Sequence, residues 1–204
     1  GTNLLASARS SDALLFLVDY ASKSGVSIVI DANWREIFWD NLNKSSQLQR
    51  INQIRKIKKF LLNGDILKLS YEEAILFFDN DNPFLISQSL SKKPDVIITN
   101  GDKPISWFVN GIQDTTKVVK SSKIVDTTGA GDSFLAGLIS RFLNMKGDSD
   151  KESLNKHIQF ASTCGLISCL GEGAIEPQPK IKQVQDFLKS HGSYIVNNLP
   201  DPSL

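Results

Sequence analysis

Short strand-like segments alternate with segments of helical apolar spacing along this chain of 204 residues. The β-branched run from Val26 to Asp31 predicts a buried strand, and the spacing of Ala13 to Ser24 before it predicts a helix that ends at Gly25. Two further strands are predicted at Asp65 to Leu69 and at Val96 to Thr99. Because strands separated by helices form parallel sheets covered on both faces, the alternation predicts an α/β fold with a mostly parallel sheet.

The segments between and after these strands complete the predicted order of elements. Ser70 followed by Glu73 is a capping-box pattern, and it predicts a short helix through Phe78. Asn110-Gly111 is a two-residue turn typical of a β-hairpin. The predicted hairpin strands are Ile105 to Val109 and Gln113 to Val119, and the remaining predicted helices are Ser46 to Leu62, Asp132 to Leu143, Ser153 to Leu170 and Pro179 to Ser190.

The composition excludes several classes of partner. A formal net charge of +1 gives no strong field toward nucleic acid or an anionic membrane. No apolar run has the length of a membrane-spanning helix and no signal segment opens the chain, so a cytoplasmic protein is expected. Cys164 and Cys169 lie in an apolar stretch without the His or Cys partners of a zinc site, which predicts buried free thiols.

The segment Asp126-Thr127-Thr128-Gly129-Ala130-Gly131-Asp132 carries the clearest chemical pattern. Its two glycines let the backbone turn tightly and approach a ligand, and the helix that follows offers unpaired N–H groups to an anion. Asp132 stands at the start of that helix, where a carboxylate is stabilised in its ionised form and can act as a base. One turn of chain could therefore hold a transferring phosphoryl group and also accept the proton of the attacking hydroxyl.

Two other ligand-binding motifs are excluded for this glycine loop. A dinucleotide fingerprint requires a third glycine at the position of Phe134, and a Walker loop requires a Gly-Lys-Ser/Thr sequence that is absent. The alternative is that Asp132 only caps the helix and that the glycines only form a turn. Polar segments also follow the predicted strands, at the edge where open α/β sheets bind ligands. These segments are Asp31 to Arg35, Ser70 to Glu73 and Thr99 to Gly101.

The sequence resembles the PfkB, or ribokinase-like, family of carbohydrate kinases. Asp126 to Phe134 is similar to the C-terminal signature of that family, and Asp31 to Arg35 followed by Trp39 resembles a segment of its fructokinase and 2-keto-3-deoxygluconate kinase branches. Thr99 to Asp102 resembles the nucleotide loop. Gly173-Ala174 before Pro177 resembles a late Gly-Ala segment, so that the resemblance covers about Gly1 to Leu188.

The resemblance implies roles for individual residues. Asp132 would be the catalytic base, and the amides of Gly129, Ala130 and Gly131 would form the anion hole. Asn33 and Arg35 would face the phosphates and the sugar, although Arg35 could equally be a surface ion-pair partner. The stretch from Ser162 to Gly173 would line the adenine pocket. The implied nucleotide-binding residues are Lys68, Ser70, Thr99, Gly101, Gly129 and Gly131.

The implied cofactors are ATP, Mg²⁺ and, in some relatives, K⁺. Glu73 would help to place Mg²⁺ through water, but Ser70 departs from the asparagine of the family motif, and a plain capping role for Glu73 stays open. Asp126, the carbonyl of Thr128 and Gly173 match a monovalent-cation site of some relatives. His157 and His191 match no motif.

The resemblance also implies what surrounds this chain. We expect a three-layer α/β/α kinase domain over residues 1–192, without the N-terminal strands and β lid of the family, and a C-terminal tail at 193–204. The chain begins at Gly1 without a methionine, so it is expected to be processed or to be a piece of a longer protein. The full-length protein would be a homodimer through its lid, and the fragment alone would be inactive or nearly so.

The predicted function is ATP-dependent phosphorylation of a sugar hydroxyl, as in a fructokinase. The alternatives are a kinase for 2-keto-3-deoxygluconate, ribose or a nucleoside, and a non-catalytic nucleotide-binding module. The intact Asp132 and glycine loop favour catalysis.

Overall fold

The computed structural model describes residues 1–39, 47–143, 145 and 150–190. The chain divides into two compact units. The first comprises Gly1–Gly101 and Ile105–Asp114, and the second comprises Asp102–Pro104 and the chain from Thr115 onward. The predicted tail at 193–204 and His191 lie outside the described residues.

A five-stranded sheet forms the centre of the first unit. Its strands follow one another in chain order, β1-β2-β3-β4-β5. They are β1 (Val29–Asp31), β2 (Ile66–Ser70), β3 (Asp95–Asn100), β4 (Lys103–Val109) and β5 (Ile112–Thr116). The first three are parallel, with Asp31 opposite Lys68 and Ser70 opposite Thr99, so the carboxyl ends of these strands lie along one edge. Tight turns join β3 to β4 and β4 to β5, which makes these neighbours antiparallel.

Aliphatic side chains of the parallel strands form the core of this unit. Leu67, Leu69 and Val96 are fully buried, and Ala74 and Phe77 of the following helix pack with them. The helices of the first unit are α1 (Ala8–Lys23), α2 (Gln47–Leu61), α3 (Tyr71–Phe78) and α4 (Pro83–Ser89), with two short 3₁₀ helices at Thr2–Ala6 and Glu36–Phe38.

Local sequence signals set several of these boundaries as predicted. Gly25 has φ +68°, and the N–H groups of Gly25 and Val26 donate to the carbonyls of Ser22 and Ala21, which caps the end of α1. The capping box at the start of α3 is complete, with the Ser70 hydroxyl and the Glu73 carboxylate each accepting the backbone N–H of the other residue. Asn110 and Gly111 both have positive φ, as a tight hairpin turn requires.

Apart from the ends of β4 and β5, the regular structure of the second unit is helical in its described part. Its helices are α5 (Ala130–Phe142), α6 (Lys151–Ser168) and α7 (Ile181–Ser190). Small residues let α5 and α6 pack closely, because a Cβ on Gly137 would lie 2.8 Å from Sγ of Cys164. Cys164 and Cys169 are buried free thiols, as predicted, and burial raises the pKa of Cys164 to about 12.

Several predicted boundaries were wrong. Strand β1 begins at Val29 instead of Val26, because the N–H of Val26 is used to cap α1. The second hairpin strand ends at Thr116 instead of Val119, and α1 begins at Ala8 instead of Ala13. Helix α4 was not predicted, although Asn82 as its N-cap and Pro83 at its first position are the expected start signals. No helix in the described ranges is long and apolar enough to cross a membrane.

Candidate active site

Asp31, the last residue of β1, and Lys68, the middle residue of β2, form a buried ion pair. The Nζ of Lys68 lies 3.1 Å from Oδ1 of Asp31, and the two side chains are only 9% and 6% exposed. The register of the two strands places the residues directly opposite each other, so the pair follows from the sheet itself. An ammonium group is therefore held at the edge where parallel sheets bind ligands.

Glu73 lies beside this pair, one turn into α3. Its Oε2 accepts the N–H of Ser70 at 2.7 Å, and its Oε1 accepts the N–H of Trp34 from the segment after β1. Burial raises the pKa of the Glu73 carboxyl, although the two N–H donors and the charge of Lys68 oppose that shift. The capping interpretation of Glu73 is confirmed, and the residue also ties α3 to the end of β1.

Asn33 and Arg35 follow β1 on a more exposed segment. Asn33 has φ +41°, and its side-chain oxygen accepts a hydrogen bond from Nε of Arg35 at 3.3 Å. Arg35 makes no salt bridge with any residue that the structure describes, so the surface ion-pair interpretation gains no support there. Trp34 between them packs against Trp39, with ring centroids 5.3 Å apart, and edge-on against Phe77.

Thr99 and Gly101 mark the carboxyl end of β3. The hydroxyl of Thr99 donates to the carbonyl of Leu69 at 3.3 Å, which ties this strand end to that of β2. Gly101 is exposed, with φ +55°, in the turn to β4. The first unit therefore brings Asp31, Ser70 and Thr99 to the ends of adjacent parallel strands, with Lys68 two residues before the end of β2.

Gly129 turns the chain into α5 in the second unit. It is the N-cap residue with φ +80°, a conformation that residues with a Cβ rarely adopt. A Cβ at this position would also lie 3.0 Å from Cα of Ala174, so the backbone itself occupies the space. Two independent constraints therefore require glycine at the start of this helix.

The first turn of α5 presents backbone donors and an exposed carboxylate. Asp132 is its third residue and is exposed to solvent. The N–H of Ala130 donates to the carbonyl of Thr127 at 3.2 Å. The N–H groups of Gly131 and Asp132 stand in the first helical turn, where an α-helix has no internal acceptor for them. Helix geometry thus places donors for an anion next to a potential base.

Asp126 organises the segment before this turn. Its Oδ1 accepts both the N–H and the hydroxyl of Thr128, at 2.9 and 2.7 Å, and its Oδ2 accepts the N–H of Gly173 at 3.0 Å. These donors, led by the N–H of Thr128, lower the pKa of the Asp126 carboxyl. The predicted cation residues Asp126, Thr128 and Gly173 are therefore brought together, by hydrogen bonds to the Asp126 side chain.

Comparison with known proteins decides the family. A family model described as pfkB family carbohydrate kinase matches residues 2–181. The chain belongs to this family. It is 26% identical over 173 residues to the Arabidopsis thaliana protein named probable fructokinase-6, chloroplastic, and 27% identical over 186 residues to fructokinase-1 of Oryza sativa subsp. japonica. The matches cover 82% and 87% of this chain, but only 43% and 54% of the relatives, so the chain spans about half their length.

Solved structures of sugar kinases share the fold. The fructokinase with bound ATP from Xylella fastidiosa superposes with a TM-score of 0.79 at 20% identity, covering 94% of this chain and 61% of that one. A fructokinase from Vibrio cholerae O395, solved in a fructose, ADP and calcium ion bound form, gives 0.76 at 22% identity, covering 92% and 58%. The α/β class, the mostly parallel sheet and the ribokinase-like fold are thus confirmed.

The residues of this pfkB chain fit the phosphate group and the Mg²⁺ ion that its family implies. The helix N-terminus after Gly129 offers N–H donors that suit a phosphate. Both oxygens of Glu73 already accept backbone N–H groups, which suits contact with Mg²⁺ through water better than direct ligation. No group of three or more acidic, His or Cys side chains forms a ready-made cage within the described residues. Mg²⁺ usually keeps several waters, so such a cage is not required.

Some contacts that hold the candidate residues in place have no signal in the local sequence. The sequence places Asp31 in a polar segment after a predicted strand, but it does not indicate that Asp31 forms the one salt bridge of Lys68 within the described residues. Ala174 was seen as part of a late motif, and its backbone lies against Gly129. The alternation of strands and helices could have suggested the contact of Asp31 with Lys68, because the two residues lie on neighbouring parallel strands. No local signal could have found the contact of Ala174 with Gly129.

Proposed function

We propose that this chain is the nucleotide-binding and catalytic part of an ATP-dependent sugar kinase of the fructokinase type. The observation that carries the proposal is the start of α5, where Gly129 at φ +80° leads into a helical turn that contains exposed Asp132. Phosphoryl transfer depends mainly on positioning and charge stabilisation, and this turn supplies both donors and a carboxylate. The fructokinase names of the relatives support the choice of acceptor.

In the proposed reaction, Asp132 accepts the proton of the sugar hydroxyl. The hydroxyl oxygen bonds to the γ-phosphorus, the bond from that phosphorus to the β,γ-bridging oxygen breaks, and ADP is released. The N–H groups of Gly131 and Asp132, with Gly129 and Ala130 shaping the turn, would stabilise the charge on the transferred group. The N–H of Ala130 contributes less, because it already donates to Thr127.

The first unit has its own candidate residues for binding nucleotide and sugar. Ser70, Thr99 and Gly101 lie at the carboxyl ends of adjacent strands, with Lys68 two residues before the end of β2. All four would contact the phosphates or ribose. Asn33 and Arg35 would contact phosphate and sugar oxygens, because the guanidinium group makes paired hydrogen bonds to such oxygens.

Metal ions would assist this chemistry. Bound Mg²⁺ neutralises charge on the phosphates, and Glu73 would orient one of its waters. A monovalent cation such as K⁺ would be held by the loop that Asp126, Thr128 and Gly173 form. The complete gene product would be a cytoplasmic homodimer. The 204 residues alone would bind nucleotide with little turnover, because the relatives use about twice this length.

Two other functions are alternative candidates. An aminoimidazole riboside kinase from Salmonella enterica superposes with a TM-score of 0.73, so an acceptor such as a riboside, ribose or 2-keto-3-deoxygluconate is the second candidate. A non-catalytic nucleotide-binding module is the third, because the chain spans only about half of its relatives. A panel of sugars and ribosides, with ATP consumption measured on the complete gene product, separates these candidates.

The role of Asp132 is tested by Asp132→Asn in the complete gene product. We expect turnover to fall by at least about 100-fold, since general base catalysis contributes roughly that much or more, while ATP binding by calorimetry stays measurable. Asp150→Asn is the matched control, because Asp150 also stands at a helix start and asparagine caps equally well there. Turnover of D132N equal to that of D150N would refute the proposed base.

A further inference from the structure

Asp31 has no part in the reaction proposed above, yet it is one of the most deeply placed charges of the first unit. It ends β1 at 5% exposure, and Lys68 opposite it on β2 is 7% exposed. Its Oδ1 lies 3.1 Å from Nζ of Lys68.

Stability is a weak explanation for the pair. Strands buried in parallel sheets normally carry Val, Ile or Leu, and Leu67 and Leu69 on either side of Lys68 are fully buried. Replacing a buried ion pair by apolar residues is often neutral or stabilising, since removing two charges from water offsets their attraction. A lysine in the middle of β2 therefore indicates a use for its ammonium group.

The pair lies where a phosphate group could be bound. Ser70, two residues after Lys68, and Thr99 opposite it mark the carboxyl edge of the sheet. An ammonium group has three N–H donors, and Asp31 accepts only one of them within the described residues. A lysine side chain is otherwise long and flexible, so an immobile carboxylate at one donor fixes the direction of the other two.

We propose that Asp31 is a positioning residue that holds the Lys68 ammonium group in place for the phosphates of the nucleotide. The inference rests on the proposed nucleotide-binding role of Lys68. Asp31 itself, as an anion, does not contact the phosphates. Its effect on binding passes entirely through Lys68, and this makes the proposal testable by combining substitutions.

The experiment measures ATP affinity by calorimetry for the wild-type chain and for four variants. Lys68→Met and Asp31→Asn should each weaken binding by about 10- to 100-fold, the effect of one charge-assisted hydrogen bond. The double variant D31N/K68M should bind no more weakly than K68M alone, because Asp31 acts only through the lysine. Asp31→Glu keeps the charge but displaces it by about one carbon–carbon bond, and it should weaken binding measurably.

A second Lys–Asp ion pair in the first unit provides the control. Lys92, before β3, and Asp65, before β2, form a more exposed ion pair at the opposite ends of these strands, so Lys92→Met should leave ATP affinity unchanged. Thermal unfolding identifies any variant that does not fold. If D31N fails to fold, because its buried lysine is left unpaired, D31E carries the test.

The outcomes separate this inference from the proposed function. Wild-type affinity in a folded D31N or in D31E, or a double variant clearly weaker than K68M, would overturn the positioning role while leaving the kinase proposal intact. Absence of ATP binding by the wild-type chain would overturn both. Weakened D31N and D31E with a non-additive double variant would establish the role of Asp31.

Discussion

Gly129 shows how a single residue can be required by two separate constraints. Its φ of +80° disfavours a residue with a Cβ, and such a Cβ would lie 3.0 Å from Cα of Ala174. Gly111 in the hairpin turn has a similar φ of +77°, but a Cβ there would meet nothing within 4 Å. The two glycines therefore separate the conformational constraint from the steric one.

We predict that Gly129→Ala lowers the free energy of unfolding more than Gly111→Ala does. Both variants carry the left-handed conformation, which costs about 1–2 kcal/mol, and only G129A adds a backbone contact, at about 1–3 kcal/mol more. Urea denaturation measures both values, and ATP affinity should fall only in G129A. Equal losses of stability would show that the loop relaxes away from Ala174.

At the scale of elements, the packing of α5 on α6 depends on small residues. A Cβ on Gly137 would lie 2.8 Å from Sγ of Cys164 and 3.1 Å from Cα of Ala161. Arg141, one turn further along α5, is buried with its guanidinium carbon 3.5 Å from the ring centroid of Phe160, and burial lowers its pKa to about 10. The interface is thus close at one turn and filled by a large side chain at the next.

Gly137→Ala is therefore expected to destabilise the chain despite better helix propensity. The alanine gains about 1 kcal/mol in the helix, but overpacking costs about 1–3 kcal/mol because the backbone of Ala161 cannot give way. Adding Cys164→Ala should recover part of the loss, since it removes the nearest atom. Unfolding free energies of both single variants and the double variant form the measurement. Strict additivity would argue that Cys164 moves aside without cost.

At the scale of the whole molecule, charge and exposed apolar surface govern solution behaviour. The formal net charge is only +1, which gives little electrostatic repulsion between copies. Helix α1 carries two apolar stripes. One packs inward through Val18 and Leu14, while Phe16, Leu17 and Tyr20 on the other are 67%, 60% and 64% exposed. Contiguous exposed apolar groups favour association.

We predict that the triple substitution F16Q/L17Q/Y20Q raises the concentration at which the chain stays monodisperse. Exposed positions change the free energy of unfolding by no more than about 0.5 kcal/mol each, and glutamine suits a helix. Light scattering over a concentration series is the measurement. Leu48→Gln is the control, because Leu48 is similarly exposed, at 66%, but lies on α2. Unchanged association of the triple variant would show that these three side chains of α1 do not cause the association.

The family could be predicted from the sequence because its signature depends on residues close together in the chain. The cap at Gly25, the capping box of Ser70 with Glu73 and the turn at Asn110-Gly111 are all local, and all three are confirmed. Strand β1 was predicted too long because Val26 contributes to a helix cap, and the competition between cap and strand is settled only in the folded chain.

Sequence alone thus determined the alternation of strands and helices apart from α4, the family signature and the identity of the candidate base, Asp132. Only the tertiary structure decided which of these residues contact one another within each unit. The parallel register places Asp31 opposite Lys68, the fold brings the N–H of Trp34 to Glu73, and the backbone of Ala174 approaches Gly129. These contacts join residues far apart in the chain, and their partners depend on register and packing, which no local propensity specifies.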